Sequence, residues 1–156
     1  MIHNIDPVWD ENSKVLVLGS FPSPKSRSSG FFYGHPQNRF WKILSAVFEE
    51  DTPSTIDEKK TFLLSHGIAL WDVLGKCDIV GADDSTIENA EPNDLSAIKA
   101  NVRAVFTTGK VATRYYEEYF GKKSIYLPSP SPANRAVSDE KMIEEYKKIK
   151  LALEGE

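Results

Sequence analysis

Apolar residues in this chain gather into four short runs separated by longer amphipathic stretches. The first, residues 14–22 (KVLVLGSFP), sets Val15, Leu16, Val17 and Leu18 side by side and breaks at Gly19. A short unbroken apolar run reads as a strand buried on both faces, the pattern of a parallel sheet. Residues 67–74 (GIALWDVL), 102–109 (VRAVFTTG) and 123–128 (KSIYLP) repeat it, each closing in Gly, Pro or polar residues.

Between these runs the spacing changes to that of helices. Over 37–48, Phe40, Leu44, Val47 and Phe48 share one helical face. Thr55 and Glu58 have the spacing of a capping box for a helix reaching about Ser65, which His66-Gly67 stops. Residues 110–120 align Ala112, Tyr115, Tyr116 and Tyr119, and Ser138-Asp139-Glu140 opens a last helix carrying Met142, Tyr146, Ile149 and Leu153. Strands alternating with helices predict one α/β domain over residues 1–156, with a parallel sheet covered on both faces. Residues 75–94 have no clear period and are expected to form a long polar connection, a kind of loop that often serves function.

In this architecture ligands sit outside the carboxyl ends of the strands. Three unusual segments fall there: 19–41 after the first strand, 71–85 after the second and 128–135 after the last. The length of 156 residues suits one domain with a real core. No apolar run nears the roughly 18 residues that span a bilayer, and the start lacks the layout of a signal peptide, so no membrane partner is expected. Cys77 is the one cysteine; it has no disulfide partner, which points to a reducing, intracellular setting and an inert thiol. A net charge of −4 argues against a protein that coats nucleic acid nonspecifically. It leaves room for a local basic face, for which Lys25, Arg27, Arg39 and Arg135 are candidates.

Residues 19–26 (GSFPSPKS) join a strand exit at Gly19 to prolines that stiffen the loop. The hydroxyls of Ser20, Ser23 and Ser26, with free backbone amides, suit an anion such as phosphate; a plain turn is the alternative. Residues 127–135 (LPSPSPANR) use the same vocabulary with Ser129, Ser131, Asn134 and Arg135. Two stiff loops at one sheet edge can pinch a phosphodiester backbone from two sides. Between them lies GFFYGHPQNRFW, residues 30–41. Phe40 and Trp41 read as core. Tyr33 precedes the turn Gly34-His35-Pro36, which aims its ring into the pocket, and a ring stacked on a base is worth roughly 1–3 kcal/mol. Asn38 offers a donor and an acceptor for a base edge or a water, with helix capping as its structural alternative. His35 is a structural hydrogen-bonder or a base contact.

These residues carry a resemblance. VLVLGSFPSPKSRSSGFFYGHPQNRFWKIL resembles the first motif of the uracil-DNA glycosylase superfamily. It is nearest the branch of mismatch-specific uracil/thymine-DNA glycosylases and hypoxanthine-DNA glycosylases. GHPQNRFW is close to that branch's Ala-His-Pro-x-Asn-x-Phe-Trp signature, and LPSPSPANR is similar to its second motif. The resemblance implies a three-layer α/β/α fold with a central four-stranded parallel sheet. It further implies base flipping and cleavage of an N-glycosidic bond in DNA without metal or cofactor. Tyr33 falls at the aromatic that stacks on the flipped base. Phe21, His35 and Thr108 become the other candidate base contacts. Ser20, Ser23, Ser26, Ser129, Ser131, Asn134 and Arg135 become candidates for holding DNA.

The chain departs from the pattern at three places. Where mismatch-specific uracil enzymes place a water-positioning Asn, this chain has Phe21; the hypoxanthine branch is also apolar there and is implied to use the Asn matching Asn38. Pro132 and Ala133 replace a leucine wedge, so flipping is expected to rely on weakly paired lesions. Thr108 stands where many relatives have Asn. The expected function is therefore a DNA repair glycosylase, monomeric and monofunctional, acting on DNA that contains deaminated bases: hypoxanthine first, then uracil or xanthine. Asn38 is the expected catalytic residue, with Asp72 or Asp84 as possible helpers. Two readings from other classes stay open: a lesion-binding module without catalysis, favoured by Phe21, and a nucleosidase acting on free nucleosides.

Overall fold

A computed structural model describes residues 1–155. In chain order its elements are β1 (Val15–Gly19), α1 (Pro24–Ser29), α2 (Phe40–Val47), α3 (Ile56–Ser65), β2 (Ile68–Asp72), β3 (Leu74–Val80), β4 (Asp83–Pro92), β5 (Ala104–Thr108), α4 (Lys110–Phe120), β6 (Ile125–Leu127) and α5 (Asp139–Glu154). The four apolar runs form one parallel sheet in the order β2-β1-β5-β6, with Val15 opposite Ile68 on one side and Ala104 on the other.

Alternation within each strand divides the core. Val15, Val17, Ile68, Leu70 and Phe106 face a layer built from Phe40 and Leu44 of α2 and Met142, Tyr146 and Ile149 of α5. Leu16, Leu18 and Ala69 face the other way, against Ala112 and Tyr116 of α4. Burying each large side chain contributes roughly 1.5–3 kcal/mol, which is why both faces of these strands are apolar.

The expected structureless connection at 75–94 is instead an antiparallel hairpin of β3 and β4 that turns at Gly81 (φ 60°). It joins α4 on the second face by burying Cys77 and Ile79, and burial raises the Cys77 thiol pKa. The register of the hairpin shifts three times, between Leu74 and Lys76, Lys76 and Asp78, and Asp78 and Val80. β3 still alternates from Lys76 to Val80, with Cys77 and Ile79 inward, whereas the bulges leave β4 without a continuous two-residue alternation to mark it as a strand. The first strand ends at Gly19, where the sequence breaks it, and a short helix, α1, starts at Pro24.

The open edge of β2 is covered by the N-terminal segment. Val8 and Leu70 exchange backbone hydrogen bonds of 2.9 Å, Trp71 donates its indole N–H to the Ile5 carbonyl at 3.0 Å, and the His3 amide bonds the Gly75 carbonyl at 2.7 Å. This strap blunts the edge and carries His3 beneath the carboxyl ends of the strands. The sheet order reverses between β1 and β5, and at such a reversal the two loops part to leave a crevice.

Candidate active site

A cavity of about 830 Å³ opens at that crevice. The β1 exit supplies Ser20, Phe21, Ser23 and Ser26, and the aromatic segment supplies Tyr33, His35 and Asn38. Thr108 comes from the end of β5, and Ser129, Ser131 and Asn134 from the loop after β6. Asp72 and the hairpin tip, including Asp84, close the remaining side. Gly19 forms the floor. A Cβ built there would lie 2.5 Å from Asp72 Oδ1 and 3.1 Å from the Tyr33 hydroxyl, so no larger residue fits.

Tyr33 has a left-handed backbone (φ 53°) that a tyrosine rarely adopts, at a cost of roughly 1–3 kcal/mol. One face of its ring stacks on Phe40 at 4.0 Å and 14°, and the ring lines the cavity. Its hydroxyl hydrogen-bonds Thr108 Oγ1 at 3.0 Å. Burial pushes the phenol pKa well up, the Asp72 charge adding to it, so Tyr33 stays neutral. The turn after it is pinned by Ser26, whose hydroxyl accepts the Gly34 N–H at 3.0 Å.

Ser23 and Ser26 therefore differ from the free phosphate hydroxyls expected of them. Ser23 caps α1 by accepting the Ser26 N–H at 3.2 Å, and its own hydroxyl donates to Ser26 Oγ at 3.2 Å. They tie the first loop to the Tyr33 turn. Ser20 Oγ donates to Asp84 Oδ2 at 2.8 Å. Phe21 is 7% exposed and packs edge-on to His3, ring centroids 5.9 Å apart.

Asn38 realises part of its structural alternative: Oδ1 accepts the Phe40 N–H at 2.9 Å at the start of α2. Its amide nitrogen is left as a donor on the cavity wall. His35 accepts the Gln37 N–H through Nδ1 at 3.0 Å and is exposed at the rim. Arg39 is not a free member of a basic face. Its guanidinium donates to the carbonyls of Val137 and Asn134 at 2.8 Å each and to Asp139 Oδ1 at 3.0 Å.

The loop after β6 is held from within. Ser129 Oγ accepts the Ser131 N–H and Ser131 Oγ accepts the Ala133 N–H, both at 3.2 Å. Asn134 Nδ2 donates to the Ser129 carbonyl at 2.9 Å, and Tyr146 donates its hydroxyl to the Pro128 carbonyl at 2.7 Å. Each serine accepts from backbone and keeps its own hydroxyl proton to give. Arg135 is exposed and, like the other basic candidates Lys25, Arg27 and Arg39, lies outside the cavity lining.

A family model of the Uracil DNA glycosylase superfamily matches residues 7–153. The chain belongs to that superfamily. A Methanosarcina acetivorans protein named hypoxanthine DNA glycosylase is 37% identical over 137 residues, 84% of this chain and 87% of the relative. A Methanosarcina barkeri protein of the same name is 35% identical over 135 residues, covering 83% and 85%. The fold resembles a solution NMR structure of a Methanosarcina acetivorans protein provisionally named a uracil DNA glycosylase. The TM-score is 0.82 at 31% identity, over 99% of this chain and 100% of that one.

Asp72 and Asp84, the two acids the sequence offers as helpers, form the acidic side of the cavity. Asp72 is 4% exposed, and its Oδ2 lies 2.9 Å from Nε2 of His3. Burial raises the Asp84 carboxyl pKa; the Ser20 hydroxyl opposes the rise, while the charges of Asp72 and Asp83 add to it. A carboxylate closing an apolar run, as in IALWD, is a usable signal, because strand ends face the ligand. Nothing in the sequence links His3 to a residue 69 positions away. Among the described residues no helix is long and apolar enough to cross a membrane, and no cluster of three or more His, Cys, Asp or Glu is placed to hold a metal ion.

Proposed function

We propose that this protein hydrolyses the N-glycosidic bond of a deaminated base, hypoxanthine before uracil or xanthine, everted from DNA, and leaves an abasic site. One observation carries the reading: both Pro-Ser segments, Tyr33 and Asn38 meet on a single cavity at the carboxyl ends of β1 and β5. The names of the two Methanosarcina relatives support hypoxanthine as the first substrate.

The chemistry follows from the groups on the wall. The base lies on the open face of Tyr33, whose other face is already stacked on Phe40, so the platform is rigid before the base arrives. Breaking the bond places negative charge on the base and positive charge on the sugar. The free amide N–H groups of Asn38 either stabilise the departing base or hold the attacking water by its oxygen. One preorganised donor of this kind is worth roughly 3–4 kcal/mol. Phe21 offers no polar group to share this work. The hydroxyls of Ser129 and Ser131 donate to phosphate oxygens, and the phosphates in turn stabilise the cationic sugar. No lysine lines the cavity among the described residues, which favours direct hydrolysis over a covalent amine intermediate.

The test incubates the protein with duplexes holding one deoxyinosine, deoxyuridine or deoxyxanthosine, then reveals abasic sites with alkali under single-turnover conditions. Cleavage at deoxyinosine is expected to be fastest. Absence of cleavage at all three rejects the enzyme and leaves a binding module. Base release from free inosine at a rate matching the duplex points to a nucleosidase.

A further inference from the structure

The strap at the start of the chain places a histidine behind the cavity, and the hydrogen bonds around it determine which proton it carries. Nδ1 of His3 accepts the Ile5 N–H at 3.1 Å, so that nitrogen has no hydrogen. The hydrogen of the neutral ring then sits on Nε2, 2.9 Å from Asp72 Oδ2, and is donated to it. The two side chains are 2% and 6% exposed. Asp72 Oδ1 accepts no hydrogen bond from any described residue, and it stands over the Gly19 floor beside the Tyr33 hydroxyl. A carboxylate with one oxygen locked and the other free on a pocket floor is an acceptor without an alternative.

We propose that His3 and Asp72 form a specificity pair, in which His3 positions Asp72 so that Oδ1 accepts the ring N–H that deamination creates. This rests on the reading of the cavity as the site of an everted base. Deamination turns the ring nitrogen beside the lost amino group from an acceptor into a donor: N1 in adenine becomes N1–H in hypoxanthine, and N3 in cytosine becomes N3–H in uracil. Against Oδ1 the lactam N–H makes a hydrogen bond, whereas the parent base presents a lone pair to a lone pair. A buried polar group left unpaired in this way rejects the wrong ligand far better than a missing contact does. Guanine and thymine also carry a ring N–H, so the pair sorts adenine from hypoxanthine and cytosine from uracil and leaves the other bases to other contacts. An acceptor facing the base does not favour charge building up on it. The pair therefore acts in binding, while Asn38 acts in the rate.

His3 also dictates what an amide would do at position 72. With Nε2–H fixed as donor, the Oδ1 of an Asp72→Asn side chain turns toward His3 and its NH2 turns toward the floor, replacing the acceptor with a donor. The experiment measures dissociation constants by fluorescence anisotropy for duplexes carrying 2′-fluoro-deoxyinosine or 2′-fluoro-deoxyadenosine, whose glycosidic bonds resist cleavage. Each analogue stands opposite a tetrahydrofuran abasic site, so neither gains from pairing. The unaltered protein is expected to prefer the inosine duplex by roughly 10- to 100-fold. Asp72→Asn is expected to abolish or invert the preference with its melting temperature little changed. His3→Phe is expected to bring it below about threefold, the loss of one charge-assisted hydrogen bond, and His3→Gln, whose amide still donates, to restore most of it.

Equal affinity of the unaltered protein for both duplexes overturns the proposal, as does binding of neither. So does an Asp72→Asn variant that keeps the original preference, or a folded His3→Phe variant that keeps it. If His3→Phe fails to fold, the Asp72→Asn and His3→Gln results decide. A protein that prefers the inosine duplex yet releases no base from ordinary deoxyinosine DNA rejects the hydrolase reading and leaves this pair intact. One that cleaves deoxyinosine while Asp72→Asn changes nothing rejects the pair alone.

Discussion

Arg39 and Asn134, 95 positions apart in sequence, are joined by a 2.8 Å hydrogen bond from the guanidinium to the Asn134 carbonyl. The Arg39 amide adds a 3.0 Å bond to the Pro130 carbonyl. The aromatic segment and the second Pro-Ser loop are therefore one mechanical unit, and Arg39 is its fastener. Arg39→Ala is expected to cost about 2–3 kcal/mol in urea unfolding and to lower kcat/KM by loosening Ser129 and Ser131. Arg39→Lys should not restore either, because a lysine cannot span three separate acceptors. Full activity in Arg39→Ala would show that the loop holds its shape without this bond.

Asn38 has two jobs, and two variants separate them. Asn38→Ala is expected to slow single-turnover base release by about 100- to 1000-fold and to lose about 1 kcal/mol of stability with the bond to the Phe40 N–H. Asn38→Asp keeps an oxygen for that N–H but presents no donor to the cavity. It should match the alanine variant in rate while keeping the stability. An Asn38→Asp enzyme as fast as the parent would reject the donor role.

Asp84 sets a pH dependence of stability. Its carboxyl pKa is raised in the folded protein, chiefly by burial, so the native state holds this proton more tightly than the unfolded chain. Stability from this group is greatest below the unfolded value, about pH 4, and falls as pH rises through the folded one. Asp84→Asn removes the charged form. It is expected to melt at a higher temperature than the parent at neutral pH, with the gap closing towards pH 4. Melting curves at matched salt across that range give the answer, and a gap of constant size would reject the assignment.

Arg135 is exposed at the end of the second loop and belongs to none of the ion pairs among the described residues. As a phosphate contact it should influence affinity without influencing which base is chosen. Arg135→Ala is expected to weaken binding to all duplexes alike and to lower the slope of log affinity against log salt by about 1. An unchanged slope would place Arg135 away from the DNA.

The sheet and its helices were legible because their signals are local. Val15 to Leu18 are apolar in sequence, Thr55 and Glu58 are three apart, and Ser138 precedes two acids, so each start or stop is written within a few residues. The observed caps agree: the Thr55 hydroxyl accepts the Glu58 N–H, and Ser138 accepts that of Lys141. The hairpin at 74–92 was not legible. The alternation in β3 is confined to Lys76–Val80 and β4 has no continuous one, so packing of Cys77 and Ile79 on the sheet is what gives the hairpin a reason to form.

By itself the amino-acid sequence determined which residues would be drawn to the cavity wall: aromatics, serines and carboxamides clustered after strands must lie where the strands end. What only the tertiary structure decided is what each of them is free to do. Ser26 holds the Gly34 turn, Arg39 holds the second loop, Asn38 has spent its oxygen on α2, and Asp72 is aimed by a histidine from the other end of the strap. A hydrogen bond is a relation between groups at about 3 Å, and chain separation carries no record of it. The residue types could therefore be read in advance, and their remaining donors and acceptors could not.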